Sequence, residues 1–291
     1  MEILFIVCLF VLNFACFSNL NYLSNTLSLY DAPDNIRKIH KYKIPKVGGL
    51  IFYLNYLSYV IFEFIKENSI EDLKLFFIIT IFFLISLYND KKDIKPSFRL
   101  IIFYFIFLTW ILIDQRMLVN NLRFDFIELN YNLGFFSYLI SPLFILIFFN
   151  ALNLYDGVNL QSVTYLILFF IFFYLNGIDI NNYYYFSIFI LIFIYFNYKN
   201  KIFFGDSGIA VIAAIISYLT INNYNTNGNL FCEEIFLIMF LPGIDMMRVY
   251  FLRILKKKDP FKADNSHFHH YLQNIMQNKY IFLFQVLFYS L

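Results

Sequence analysis

The chain has 291 residues, of which 60% are hydrophobic and only 14% charged, with a formal net charge of +2. Soluble domains carry about 25% charged residues, so the composition excludes a soluble globular domain and points to an all-α polytopic membrane protein embedded in a lipid bilayer, with no nucleic-acid partner. Cys8, Cys16 and Cys232 all fall in apolar runs without disulfide or metal spacing, which excludes a cysteine-based framework.

The first apolar run, about 3–20, follows a start whose only charge is Glu2. Lacking a basic leading segment, it reads as a first span and not as a signal peptide. Further spans are predicted at about 47–65, 73–88, 97–113, 133–151, 161–177, 182–197, 207–222 and 232–247. A last apolar run begins near Tyr280 and stops at Leu291, which reads as a short or truncated span. The expectation is about 10 transmembrane helices in a single integral-membrane domain covering 1–291. Several spans are near or below the ~17–25 residues a bilayer requires. Pro242-Gly243 interrupts the shortest run, so a bent or discontinuous helix is expected there.

The connections alternate in charge. Those at 21–46, 88–99, 150–161, 198–206 and 248–279 hold 18 of the 22 Lys and Arg residues. The positive-inside rule places them in the cytoplasm and the N-terminus outside. The polar motifs lie on that same side. They are Asp31 to Gly49, Tyr88 to Arg99, Asn150 to Leu160, Lys199 to Gly208 and Asp259 to Tyr271. A transporter needs polar groups near the bilayer midplane, whereas clustering on one face suits an enzyme working at the membrane surface.

The motifs carry a chemistry. Asp156 is an isolated carboxylate between long charge-free stretches, flanked by Asn150, Asn153 and Asn159. Such a group is costly in a membrane protein unless it has a role. Asn153 and Asp156 are three apart and share a face if the helix extends that far, and the Asp-Gly pair marks the helix exit. Asn89, Asp90 and Asp93 open a loop with Lys91, Lys92 and Lys95, and Asp206 stands between Gly205 and Gly208. Carboxylates from separate loops, with basic residues and glycines, suggest a divalent metal holding a diphosphate. The cluster His267, His269 and His270 fits no zinc spacing; its imidazoles suit phosphate binding or holding a carboxylate in place. His40, in a basic loop, reads as solvated.

Together the motifs resemble the polyprenyl-phosphate N-acetylhexosamine-1-phosphate transferases, the MraY/WecA family, from about Asp31 to Tyr271. NALNLYDGVN is similar to the family's N-x-x-N-x-x-D-G-x-D-G, FFGDSG to F-x-G-D-x-G-S, IPKVGG to P-x-x-G-G, and YNDKKDIKPSFRL to D-D-x-x-D-L-x-P-x-x-R-L. DPFKADNSHFHHYL resembles the WecA branch. The resemblance implies a bacterial inner-membrane, multi-pass enzyme that transfers an N-acetylhexosamine-1-phosphate, with GlcNAc-1-phosphate the leading choice. The donor is a UDP-N-acetylhexosamine, the acceptor is undecaprenyl or another polyprenyl phosphate, and UMP leaves. The product begins a cell-envelope glycan.

The resemblance also implies roles. Mg²⁺, with Mn²⁺ as a substitute, would rest on Asp206 and Asp90, and the catalytic group would comprise Asp90, Asn89 and Asp206. Asn153, Asp156, Asn159, Phe203, Lys46, His267, His269 and His270 would bind substrate, with Phe203 stacking on uracil. Lys46 and Arg99 would favour anionic groups. Four positions depart from the pattern: Asn89 and Asn159 stand where the family has Asp, and Ser86 and Leu160 where it has Gly. Asn89 cannot take a proton. A lipid-linked-sugar transporter and a catalytically weakened relative stay open as alternatives, as does a homodimer.

Overall fold

The computed structural model describes residues 1–33, 42–67, 70–180, 183–226, 228–261 and 266–290. His40 and residues 262–265 of the histidine motif lie outside them. The described residues are mostly helical: α1 (Glu2–Ser18), α2 (Leu20–Leu27), α3 (Gly48–Glu67), α4 (Ile70–Lys91), α5 (Pro96–Ile113), α6 (Ser137–Tyr155), α7 (Gln161–Leu175), α8 (Phe186–Tyr198), α9 (Gly205–Thr226), α10 (Cys232–Ile238), α11 (Phe240–Leu255), α12 (Phe268–Gln273) and α13 (Ile281–Ser290). Five of these helices are long and apolar enough to cross a membrane, or up to 7 spans if each of two bent pairs counts as one. Three shorter apolar helices, α7, α8 and α13, accompany them. This is the helix inventory of a multi-pass membrane protein.

The expected break near Pro242-Gly243 is displaced. The chain bends by 75° between α10 and α11, and the junction residue is Met239. Pro242 lies in the first turn of α11, where a missing N–H leaves no intrahelical bond unmade. A second bend, of 71°, separates α1 from α2 at Asn19. Strands were not expected. β1 (Tyr30–Asp31) pairs antiparallel with β2 (Ile44–Pro45), and β3 (Asn121–Phe124) with β4 (Leu129–Asn132). The second hairpin is tied to α10 because the Glu233 carboxylate accepts the N–H groups of Asp125 and Phe126 at 2.6 and 2.9 Å.

Helix α9 is the axis of the bundle. Nearly its whole length is buried, including Gly208, Ala210, Ala213 and Ala214. Small side chains let neighbouring helices approach closely where hydrocarbon offers no hydrophobic driving force. Around it the core is aromatic. Phe82 of α4 packs edge-on against Phe103 and Phe107 of α5 and Phe149 of α6, with ring centroids 4.4, 5.0 and 4.8 Å apart. On the other side, Phe52 of α3, Phe189 and Phe193 of α8, and Phe204 form a second aromatic cluster.

The aromatic core seats one junction that governs the site. Gly48 and Gly49 donate their N–H groups to the carbonyls of Phe203 and Phe204 at 3.0 and 2.8 Å, and Phe203 donates to Pro45 at 2.8 Å. The starts of α3 and α9 are thereby zipped together. A Cβ on Gly49 would lie 2.2 Å from the Gly208 nitrogen, and one on Gly208 would lie 2.0 Å from the Phe204 ring. The IPKVGG and FFGDSG motifs need their glycines for this backbone-to-backbone approach.

Candidate active site

A cleft of about 680 Å³ opens where the starts of α3 and α9 meet the ends of α6 and α8 and the chain after α12. Seven of the expected site residues line it: Lys46, Asn153, Asp156, Asn159, Phe203, Asp206 and His270. Four others, Asn89, Asp90, His267 and His269, stand behind the lining. The cleft also takes Asp31, Lys43, Lys199 and Asn200, which lie inside the polar motifs without having been expected as site residues, and Gln273, which lies beyond the last motif.

One wall is built from charges. Asp90, at the C-terminal end of α4, has a fully buried side chain. Its two oxygens accept the N–H groups of Asp206 and Ser207, both at 2.9 Å, and Lys46 Nζ lies 2.7 Å from Oδ1. A carboxylate that takes the first free N–H groups of α9 is a helix cap working with the macrodipole. The geometry places Asp90 beneath Gly205, which adopts a φ of +79°, and behind the cleft wall; both of its oxygens are engaged by these donors. Burial alone would push the Lys46 ammonium down; the carboxylates of Asp206 and Asp90 reverse this and hold its pKa well above the usual lysine range.

Asp206 differs from Asp90 in facing the cleft, with its side chain 25% exposed. Its Oδ2 accepts from Arg99 Nη1 and from the Asn89 amide, each at 2.6 Å. Arg99 also reaches Asn153 Oδ1 at 3.2 Å, so the K-P-S-F-R and N-A-L-N motifs meet through one guanidinium. Pro96 starts α5, where its fixed φ suits a first helical residue, and this sets Arg99 in the opening turn.

The facing wall is built from imidazoles. His267 Nδ1 lies 2.9 Å from Asp245 Oδ2, and Asp245 also accepts the Phe268 N–H at 2.9 Å and Arg248 at 2.7 Å. The histidine cluster does hold a carboxylate in place, one that lies outside all the motifs. The His267 and His269 rings stack with centroids 5.6 Å apart, and His269 lies 4.2 Å from His270. Burial, then the neighbouring His270 and His267, pull the His269 pKa down to about 3, so this ring is neutral at every ordinary pH.

The Asp-Gly pair after α6 serves this wall. Helix α6 ends at Tyr155 with Asp156 as its cap. The helix exit thus falls at the Asp-Gly pair, as expected, although Gly157 has no left-handed backbone. Instead, a Cβ there would lie 2.1 Å from the His269 ring, so the missing side chain makes room for the imidazole. Asp156 accepts a hydrogen bond from the Ser162 hydroxyl, and burial pushes its pKa up to about 6.

Asn159 is held by the next loop. Its amide donates to the Asn197 carbonyl and to Asn200 Oδ1, both at 2.8 Å. Leu160 takes the left-handed region at φ 65°, the conformation for which the motif has glycine, and its N–H donates to Asn197 Oδ1 at 2.6 Å. The side-chain amide of Asn197 also donates to the Ile202 carbonyl at 2.7 Å. Asn197, invisible to motif reading, is the hub joining the Asn159 loop to the start of α9. Asn150, expected among the polar flank, instead ties α6 to α11 through Tyr250 at 2.6 Å.

A helical membrane bundle with a polar cleft, built from acidic, basic and imidazole side chains at several helix ends, fits a membrane-embedded group transferase. The chain belongs to glycosyl transferase family 4, whose model matches residues 73–223. Three relatives extend the likeness beyond that segment. The undecaprenyl-phosphate α-N-acetylglucosaminyl 1-phosphate transferase of Pasteurella multocida is 26% identical over 269 residues, covering 85% of this chain and 72% of the relative. That of Salmonella typhi is 25% identical over 258 residues, covering 84% and 69%. The probable undecaprenyl-phosphate N-acetylglucosaminyl 1-phosphate transferase of Bacillus subtilis is 24% identical, covering 83% and 69%.

Proposed function

We propose that the chain transfers GlcNAc-1-phosphate from UDP-GlcNAc to undecaprenyl phosphate and releases UMP. One observation carries the reading: distant motifs converge on a single cleft whose Asp206 is flanked by Lys46 and Arg99. The names of its relatives agree. In the reaction, a phosphate oxygen of the lipid forms a bond to the β-phosphorus of the nucleotide sugar. The bridge to the α-phosphate breaks, and UMP carries away the electron pair. Phosphoryl transfer of this kind depends mainly on positioning and charge neutralisation.

The residues divide the work. Lys46 and Arg99 place positive charge beside the phosphates. Phe203 offers an aromatic face to the uracil, as base-binding sites do. Asn153, Asp156 and His270 line the nucleotide-sugar side, with Asn159 holding their loop. His267 and His269 set the position of His270 from behind. Asp90 acts through Asp206 by anchoring the start of α9. A lipid phosphate, with a second pKa of about 6, is already largely dianionic at neutral pH, so no side chain need remove a proton.

The residues fit a divalent cation. Among the described residues no group of three or more His, Cys, Asp or Glu side chains gathers as a metal set. Mg²⁺, however, is satisfied by one or two carboxylates with phosphate oxygens and water, and Asp206 borders a cleft roomy enough for both. When bound there, Mg²⁺ would neutralise charge on the diphosphate.

The orientation in this reading follows the Lys and Arg distribution: N-terminus outside, cleft toward the cytoplasm, about 10 spans in the bacterial inner membrane, the short apolar helices included. The test is purified full chain with UDP-GlcNAc and undecaprenyl phosphate. UMP release supports the reading. Movement of lipid-linked sugar without UMP would replace it with a transporter. Single-cysteine labelling of sealed vesicles at position 91 or 201 is expected from the cytoplasmic side alone.

A further inference from the structure

The charged wall is electrically balanced. Two carboxylates, Asp90 and Asp206, face two cations, Lys46 and Arg99. Asn89 completes it, and the orientation of its amide follows from its partners. The Ile94 backbone N–H approaches Asn89 Oδ1 at 2.9 Å, and only the oxygen of the amide can accept it. The NH₂ group must then face Asp206 Oδ2, at 2.6 Å. An aspartate at 89 would set carboxylate against carboxylate at that distance, an arrangement that calls for a proton or a cation between them. Asn89 removes the requirement, and Arg99 adds a second donor to the same oxygen.

A free dication gives up part of its hydration when it binds a protein carboxylate, and sites offset that cost through negative charge. Here the four ionic groups of the wall sum to zero, the Asp31 and Asp156 carboxylates elsewhere on the cleft are matched by Lys43 and Lys199, and one oxygen of the cleft-facing carboxylate already accepts two donors. A diphosphate would bring the missing negative charges. We infer that this chain holds no resident divalent cation and takes one up only together with the diphosphate of the nucleotide sugar, because Asn89 and Arg99 leave the Asp206 wall neutral. The inference rests on the proposed nucleotide-sugar site. It makes Asn89 a positioning residue that sets the order of binding, and linkage requires the cation and the nucleotide sugar to strengthen each other equally.

Equilibrium dialysis of Mn²⁺ against the full chain in detergent tests it, with and without saturating UDP-GlcNAc. The expected result is at least tenfold tighter Mn²⁺ retention when UDP-GlcNAc is present. Asn89→Asp should tighten retention of Mn²⁺ alone at least tenfold and shrink the gain from UDP-GlcNAc. Arg99→Gln, which unbalances the wall by a different route, should move in the same direction and covers the case in which Asn89→Asp does not fold. Wild-type protein that retains Mn²⁺ equally well without UDP-GlcNAc would overturn the inference, whereas retention of labelled UDP-GlcNAc would still support the proposed function. Failure to retain UDP-GlcNAc with or without Mn²⁺ would instead overturn the nucleotide-sugar reading itself, and the inference with it.

Discussion

The two walls of the cleft reach order by opposite means. The wall of Lys46, Asp90, Arg99 and Asp206 is ionic, and each charge is satisfied by an opposite one or by a helix start. The wall of His267, His269 and His270 depends on ring packing, a buried carboxylate at Asp245 and the absence of a side chain at Gly157. An ionic wall is strong while complete and fragile to loss of one member, because the partner left behind is a buried charge. A packed wall degrades gradually, since a displaced ring loses contacts one by one.

Mutations can break or sharpen that contrast. The largest effect is expected at Asp206, the ionic group that meets substrate. Asp206→Asn should lower UMP release about 10³-fold, equivalent to about 4 kcal/mol of transition-state stabilisation, with the fold intact by size-exclusion profile. Retention of a tenth of the activity would remove Asp206 from the centre of the mechanism. Lys46→Ala comes next, and its effect is on stability. It leaves Asp90 without its cation beside α9, and losing one partner of a buried pair costs about 3 kcal/mol or more; thermal unfolding in detergent would read this as a marked fall in Tm.

A smaller effect separates the walls by pH. Asp156 has a folded pKa of about 6, above the ~3.9 of an unfolded aspartate. The fold therefore disfavours the ionised form, and stability falls as pH rises from about 4 to about 6. Asp156→Asn should remove that fall, raising stability at pH 7 by roughly 1–2 kcal/mol after allowance for solvent screening, with no gain at pH 4. His269 acts in the opposite sense. Its folded pKa of about 3 lies below the ~6.5 of free imidazole, so stability is full above about pH 6.5 and declines as pH falls toward 3. His269→Asn should flatten that acid limb in the same unfolding series. The smallest expected effect is Gly157→Ala, whose methyl would meet His269; a loss of about tenfold in UMP release, or ~1.4 kcal/mol, would mark the packed wall as yielding. An unchanged rate would show that His269 can move without cost.

Some of this was legible in the residues alone. Hydropathy over long runs announced a helical membrane protein because the bilayer leaves the backbone few other choices. The charge-poor surroundings of Asp156 and the glycines beside Asp206 marked site residues by cost, since such groups are expensive without a partner. The site residues that the motifs named fall either on the cleft or directly behind it. The tertiary structure alone decided which of them face the cavity. Asp90 and Asp206 look alike in sequence, yet one caps α9 in a buried ion pair and the other is exposed to the cleft, because helix starts and ends meet across more than a hundred residues of chain. Asp245 and Asn197 were missed for the same reason: each acts through a neighbour distant in sequence and belongs to no local pattern. The hairpin at 121–132 also went unread. The bend in the Pro242-Gly243 segment was legible, but it falls at Met239, three residues before the proline, since a proline is tolerated in a first turn. Local sequence carries propensity and burial cost, but a side chain's partner is a property of the packed bundle.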